Sequence, residues 1–124
     1  MLHHLSLAVA DLDRAAAFYD AVLEPLGYVR VWSFPTAVGY GPPGGGDRLA
    51  LKLRVDRPTP PPSGFHLALT APDADAVRAF HARALEMGGE DLGAPGPRPQ
   101  FGEGYFAAFV RDPDGWWLEA VVRS

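Results

Sequence analysis

The sequence predicts an α+β fold of two tandem βαβββ modules, whose strands form a curved, cup-like mixed sheet with the helices on its outer face. Two observations support this prediction. The first is an internal repeat, because a shift of 62 positions, half of the 124 residues, aligns the two halves without a gap. The second is the order of patterns in each half: an alternating strand, an amphipathic helix, then strand-prone runs separated by turns. Repetition of a whole supersecondary unit indicates two structural copies.

The repeat includes core, cap and turn positions, so it is more than a shared composition. It predicts one domain over residues 1–124, with module one at 1–56, a proline-rich linker at 57–63 and module two at 64–124. The aligned pairs are His4 with His66, Leu5 with Leu67, Leu7 with Leu69, Asp11 with Asp73, Asp13 with Asp75, Phe18 with Phe80, Leu23 with Leu85, Glu24 with Glu86 and Gly27 with Gly89.

The first half starts with a strand whose leucine-rich face is expected to lie in the core, which places His4 on the opposite face. Asp11 or Asp13 is expected to cap a helix that ends at Gly27. The predicted strands of this half are residues 2–10, 28–34, 36–40 and 48–55.

The second half repeats the order, with a strand at residues 65–71 and a helix at 76–87. It ends with Asp112-Pro113-Asp114-Gly115, which is typical of a hairpin turn because Pro presets φ and Gly accepts a positive φ. In the strand that must follow, Glu119 shares a face with Trp117 and Val121. An ionised carboxylate on a largely buried face needs a cation or hydrogen-bond donors.

The composition narrows the range of functions. The net charge of −4, the pI near 5.4 and the absence of a block of like charge argue against nucleic acid or a membrane surface as the main partner and favour a small molecule. There is no cysteine, so a metal site must use His or oxygen ligands. The N-terminus carries no signal-peptide pattern, and a cytoplasmic location is expected.

Three chemically suitable side chains lie on the strand faces that the helices do not cover: His4, His66 and Glu119. Two neutral imidazoles and one carboxylate on rigid strands can hold a divalent cation and leave positions open for water or substrate. A histidine on a strand is more often a surface or core residue, so the interpretation depends on the repeat and on Glu119 together.

The chain resembles the vicinal oxygen chelate superfamily, which includes glyoxalase I, extradiol dioxygenases, methylmalonyl-CoA epimerase and the bleomycin- and fosfomycin-resistance proteins. The resemblance covers essentially the whole chain and rests on residues 4–11, Phe18-Tyr19, Leu26-Gly27, His66 and the turn leading to Glu119. It implies that His4, His66 and Glu119 are the metal ligands. The metal would be a divalent ion of Fe, Mn, Ni, Co or Zn, which such ligands suit alike.

One position departs from the glyoxalase I pattern, which carries a further acidic ligand on the last strand of the first module. Here Ala50 and Lys52 are expected to face the cup, and neither is a normal ligand. The remaining two-histidine-one-carboxylate set has the ligand types of the extradiol dioxygenases. Glu119 and Lys52 are the candidate catalytic groups, because a carboxylate can move a proton and a lysine that faces an apolar cup beside a metal would have a lowered pKa. A lysine near a strand end more often reaches solvent or pairs with an acid.

The residues expected to contact substrate lie on the last strand and on a Gly/Pro-rich loop at residues 95–105, which has the composition of a lid or of an ordinary connector. His3 is expected at the terminal surface, and His81 on a helix surface or interface. The candidate substrate-binding residues are Trp117, Tyr105, Phe101, Arg98 and Gln100.

Three functions remain open from the sequence. The first is a metalloenzyme that chelates neighbouring oxygens of a small substrate in isomerase, lyase or oxygenase chemistry. The second is a metal-free, drug-sequestering protein of the bleomycin-resistance kind, and the third is a relative that serves as an interaction partner. Cups in this superfamily close either within one chain or across a dimer, and the proline-rich connector permits either arrangement. A homodimer is expected here.

Overall fold

The computed structural model describes residues 1–56 and 63–124. Module one contains β1 (Leu5–Val9), α1 (Leu12–Leu23) with a following 3₁₀ turn (Glu24–Leu26), β2 (Val29–Phe34), β3 (Ala37–Gly41) and β4 (Leu49–Leu53). Module two contains β5 (Leu67–Thr70), α2 (Ala74–Glu86), β6 (Glu90–Pro97), a 3₁₀ turn (Pro99–Phe101), β7 (Tyr105–Arg111) and β8 (Trp117–Arg123). The predicted linker falls outside the described residues, apart from Ser63.

The two modules share one topology. The strand orders are β1-β4-β3-β2 in the first sheet and β5-β8-β7-β6 in the second, and the first pair of each sheet is parallel while the other pairs are antiparallel. Within the described ranges, the strands of one sheet do not pair with those of the other. The α+β prediction with two βαβββ units is thus confirmed, with the eight strands of the described residues in two open, curled sheets.

Each helix starts and packs as the sequence predicts. The Asp11 carboxylate accepts the backbone N–H of Arg14 at 3.0 Å, and the Asp73 carboxylate accepts that of Ala76 at 2.8 Å. Phe18 and Phe80, which the repeat aligns, are both fully buried. The leucine-rich face of β1 lies against the helices, so its other face stays uncovered by them.

The helices join the modules. α1 and α2 pack against each other, and the Arg83 guanidinium on α2 donates to the Ala21 carbonyl and to the Glu24 carboxylate, both at 3.1 Å. A second junction lies where β1 ends near the turn before β8. There the Trp116 indole N–H donates to the Ala8 carbonyl at 2.7 Å.

The turn before β8 belongs to the same junction. Gly115 has φ +98°, as the predicted hairpin chemistry requires. Asp114 accepts the backbone N–H of Ala10 at 2.8 Å, and the buried Asp112 accepts the Tyr19 hydroxyl at 2.5 Å. The motif that predicted a turn therefore also fastens module two to module one.

One local prediction was wrong. The loop predicted at residues 95–105 is shorter, because β6 continues to Pro97 along β7 with register shifts between Asp91 and Gly96. β6 is an edge strand, where a proline costs little because its missing N–H need not face a neighbour. His81, expected on a helix surface or interface, is 8% exposed where α2 packs on β6, and its Nε2 is 3.0 Å from an Asp91 carboxylate oxygen.

Among the described helices, none has the length and apolar character needed to span a membrane.

Candidate functional site

The site is organised around Glu119 in the middle of β8. Its side chain is 3% exposed, although it lies on the sheet face opposite to Leu118 and Ala120, which pack into the helix-side core. Parallel pairing of β5 with β8 sets Ala68 beside Glu119 and brings His66, just before β5, to the same face. His66 Nε2 lies 3.2 Å from Glu119 Oε1, and the His66 side chain is 49% exposed.

The other carboxylate oxygen of Glu119 has a different partner. The Tyr105 hydroxyl donates a hydrogen bond to Glu119 Oε2 from the start of β7. Burial, with this hydrogen bond and the Glu119 charge adding to it, raises the pKa of Tyr105 to about 12. Tyr105 therefore keeps its proton at neutral pH and acts as a donor to the carboxylate.

Aromatic rings surround His66 and Glu119. The Phe109 ring lies 6.3 Å from the His66 ring at 60°, and the Phe101 ring meets the Tyr105 ring at 5.5 Å and 67°. Together these five residues line a cavity of about 250 Å³. An imidazole and a carboxylate in apolar walls can bind a cation or exchange a proton, because their electrostatic interactions are less screened than in water.

His4 does not join this pair within the chain. It is exposed, and its Nδ1 lies 2.8 Å from His3 Nδ1. In residues 1–56 and 63–124, no three His, Asp or Glu side chains lie close enough together to hold a metal. The structure thus brings together two of the three predicted ligands and leaves the third on module one.

Module one provides no carboxylate at the position that matches Glu119. β1 pairs Leu5 with Leu49, whereas β5 pairs Leu67 with Leu118, so Ala50 takes the place of Glu119. Lys52 lies two residues further along β4, exposed, opposite Ala8 and Ala37. Both residues lie on the face away from the leucine-rich core, as the sequence predicts, but Lys52 does not line the cavity around Glu119.

The predicted substrate-binding residues separate into two groups. Phe101 and Tyr105 line the cavity, and the Arg98 guanidinium lies 5.6 Å above the Phe109 ring while donating to the Ala94 carbonyl at 2.7 Å. Gln100 and Trp117 are exposed and are not among the cavity-lining residues. The Arg111 guanidinium instead lies over the Trp117 ring, with its carbon 5.3 Å from the ring centre.

Phe109 is the site residue that sequence reasoning missed. It pairs directly with Glu119 in the β7–β8 register, lines the cavity and carries the Arg98 guanidinium over its ring. The alternation of Tyr105, Ala107 and Phe109 along one strand would have placed it on this face. What the sequence lacked was the register between β7 and β8.

A second cavity, of about 500 Å³, lies at the end of the second sheet near the start of α2. Phe106 and Val122, which face the helix side, contribute to its lining together with the loop around Pro99 and Gly102. Tyr105 borders both cavities.

Comparison with solved structures shows the same fold over essentially the whole chain. A glyoxalase/bleomycin resistance protein from Albidiferax ferrireducens T118 superposes with a TM-score of 0.82 at 29% identity, covering 98% of this chain and 97% of the other. A glyoxalase-related enzyme from Fulvimarina pelagi gives 0.71 at 25% identity, with coverages of 95% and 85%. The fosfomycin resistance protein FosX from Mesorhizobium loti gives 0.71 at 20% identity, with coverages of 100% and 92%, a likeness of fold.

No curated protein matches the sequence significantly. The sequence model of one family, however, matches residues 1–120. The repeat, the two βαβββ sheets and this match agree, and the chain belongs to the Glyoxalase/Bleomycin resistance protein/Dioxygenase superfamily.

Proposed function

We propose that the protein is a homodimeric metalloenzyme that binds a divalent ion of Fe, Mn, Ni, Co or Zn and chelates two neighbouring oxygens of a small substrate for isomerase, lyase or oxygenase chemistry. The observation that carries the proposal is the pairing of His66 Nε2 with the buried Glu119 Oε1 at 3.2 Å in an apolar cavity. These are ligand types that such ions accept. Two ligands leave a site incomplete, so the proposal needs a third.

A second copy of the chain is the proposed source of that ligand. His4 lies on the uncovered face of the first sheet, the equivalent of the face that carries His66 on the second. Both faces expose large apolar side chains, with Phe34 63% and Trp117 42% exposed. Contiguous exposed apolar patches mark protein interaction surfaces, and these side chains are the candidates for one. We infer that the first sheet of one copy covers the second sheet of the other. This arrangement would bring His4 of one copy to His66 and Glu119 of the other, and Lys52 to the same cavity.

The residues of the chain then have distinct roles. His66 and Glu119 would hold the ion, and the Glu119 carboxylate is the proposed group that accepts or returns a substrate proton. Phe101 and Phe109 give the cavity apolar walls, which would reduce the screening of electrostatic interactions inside it. When bound, the ion would supply Lewis-acid polarisation of the chelated oxygens. Lys52, the second proposed catalytic group, would place a positive charge or a base beside the substrate.

Elemental analysis of tag-free protein tests the metal. We expect about one equivalent of a transition metal in the wild-type protein and a much smaller amount in Glu119→Gln, whose amide is a poorer ligand than a carboxylate. Gln100→Ala is the matched control, since Gln100 is exposed and does not line the cavity. Equal metal in wild type and Glu119→Gln would refute Glu119 as a ligand.

Mixing two inactive variants tests the shared site. Neither His4→Ala nor His66→Ala should hold metal as a homodimer. If each site takes one histidine from each chain, a heterodimer of the two variants has one intact site and one doubly altered site. Refolding them together should then restore about one quarter of the wild-type metal, since about half of the randomly formed dimers are heterodimers. No restoration, although each variant dimerises, would place both histidines in one chain.

The same cavity supports a second candidate function, a metal-free binding protein of the bleomycin-resistance kind. The observation that favours it is that both oxygens of Glu119 already have protein partners, His66 Nε2 at 3.2 Å and the Tyr105 hydroxyl, while three aromatic rings line the cavity. Tight binding of an aromatic ligand by chelator-treated protein, unchanged on addition of metal, would favour this function over the metalloenzyme.

A further inference from the structure

The two oxygens of Glu119 serve two separate partners. Oε1 lies 3.2 Å from His66 Nε2, at a histidine that is half exposed and open to the cavity. Oε2 accepts the hydroxyl of Tyr105, whose ring forms a wall of the same cavity. One oxygen of the carboxylate thus faces the His66 imidazole, and the other is occupied by a protein donor.

Tyr105 is held in place by its own loop. Its backbone N–H donates to the Gly102 carbonyl at 3.3 Å, and its carbonyl accepts the Arg98 N–H at 2.7 Å. Gly104, just before it, has φ +74°, and a Cβ there would meet the Ser124 carbonyl oxygen at 2.0 Å. The edge-to-face contact with Phe101 fixes the ring from the other side.

We propose that Tyr105 is a positioning residue for the metal ligand Glu119: its hydroxyl holds Oε2, so that the carboxylate presents Oε1 beside His66. This inference rests on the proposed function and assigns Tyr105 a role other than the substrate contact expected from the sequence. Groups behind a metal ligand fix its orientation, and removing one weakens metal affinity roughly 10- to 100-fold. In Tyr105→Phe the ring contact with Phe101 is retained, and Oε2 loses its donor.

The test is a Co²⁺ titration of metal-free protein, followed by the visible absorption of the bound ion. Tyr105→Phe should bind Co²⁺ about 10- to 100-fold more weakly, with an altered spectrum because a released carboxylate can bind through both oxygens. Tyr40→Phe is the matched control, since it removes a hydroxyl that donates to Asp20 at 2.8 Å in module one. It should leave affinity and spectrum unchanged.

A double-variant cycle separates positioning from a general loss of structure. If Tyr105 acts through Glu119, Tyr105→Phe should have little further effect on Co²⁺ affinity in a Glu119→Gln background, whereas a merely structural effect would appear in both backgrounds. Wild-type affinity and spectrum in Tyr105→Phe, or equal losses in both backgrounds, would overturn the inference alone. A wild-type protein that binds no Co²⁺ would overturn the proposed function and the inference with it.

Discussion

The buried Tyr19–Asp112 hydrogen bond between the modules should make stability depend on pH. Tyr19 is fully buried on α1, and Asp112 also accepts the backbone N–H groups of Asp114 at 2.9 Å and Trp116 at 2.8 Å. Burial raises the pKa of Asp112 to about 6, with the Asp114 charge adding to it, although the Tyr19 and Trp116 hydrogen bonds act in the opposite direction. Asp112 therefore takes up its proton at a higher pH in the folded chain than in the unfolded chain.

The sign of the effect follows from that difference. Between about pH 4 and pH 6 the folded state binds more protons than the unfolded state, so the free energy of unfolding falls as pH rises through this window. A shift of about two pKa units corresponds to about 3 kcal/mol in the free energy of unfolding. This contribution of Asp112 is lost by about pH 6, and Asp112 adds no further pH dependence above that pH.

Tyr19→Phe removes the donor that stabilises ionised Asp112. Losing a hydrogen bond to a buried charged group costs about 1.5–3 kcal/mol, so we expect a loss of about 2 kcal/mol at pH 7. At pH 4.5, where folded Asp112 is mostly protonated, the loss should shrink to about 1 kcal/mol or less. Urea unfolding of both proteins at the two pH values measures this difference, and the other carboxylates cancel in the comparison.

Tyr40→Phe is the control for this prediction. Tyr40 is also fully buried and donates to a carboxylate, but its partner Asp20 is exposed and paired with Arg30 at 2.6 Å. Its cost should therefore be about the same at both pH values. An equal loss in Tyr19→Phe at pH 4.5 and pH 7 would refute the reasoning that Asp112 titrates in contact with Tyr19.

Three further predictions concern the fold. Asp112→Asn should remove the fall in stability between about pH 4 and pH 6, measured by urea unfolding across that range; a persistent fall would assign it to another group. Gly104→Ala should lower the free energy of unfolding by at least about 1–2 kcal/mol, because alanine disfavours the observed φ of +74° and its Cβ would displace the Ser124 carbonyl. A variant with the thermal stability of the wild-type protein would contradict this prediction. Phe80→Ala should lower the free energy of unfolding, measured with urea, by about 3–5 kcal/mol, because it removes a fully buried ring. A decrease below about 1 kcal/mol would show that neighbouring side chains fill the space that the ring leaves.

Local sequence patterns predicted the helices and strands and the face on which each side chain lies. Alternation placed Leu7 and Val9 in the core and left His4 and Glu119 on the faces that the helices do not cover, and Asp11 and Asp73 cap the helices as predicted. These features depend on neighbours within a few residues, or on a repeat that the sequence displays directly. The fold class could therefore be predicted before any long-range contact was known.

Long-range pairing of the strands sets which of these side chains come into contact. His66 approaches Glu119 because β5 pairs with β8, and Tyr105 reaches the same carboxylate through the β7–β8 register, which no local pattern encodes. The described strands form two separate sheets, and His4 and His66 lie in different modules although the repeat makes them equivalent. Periodicity specifies the face on which a side chain lies, whereas register and helix packing specify its partners.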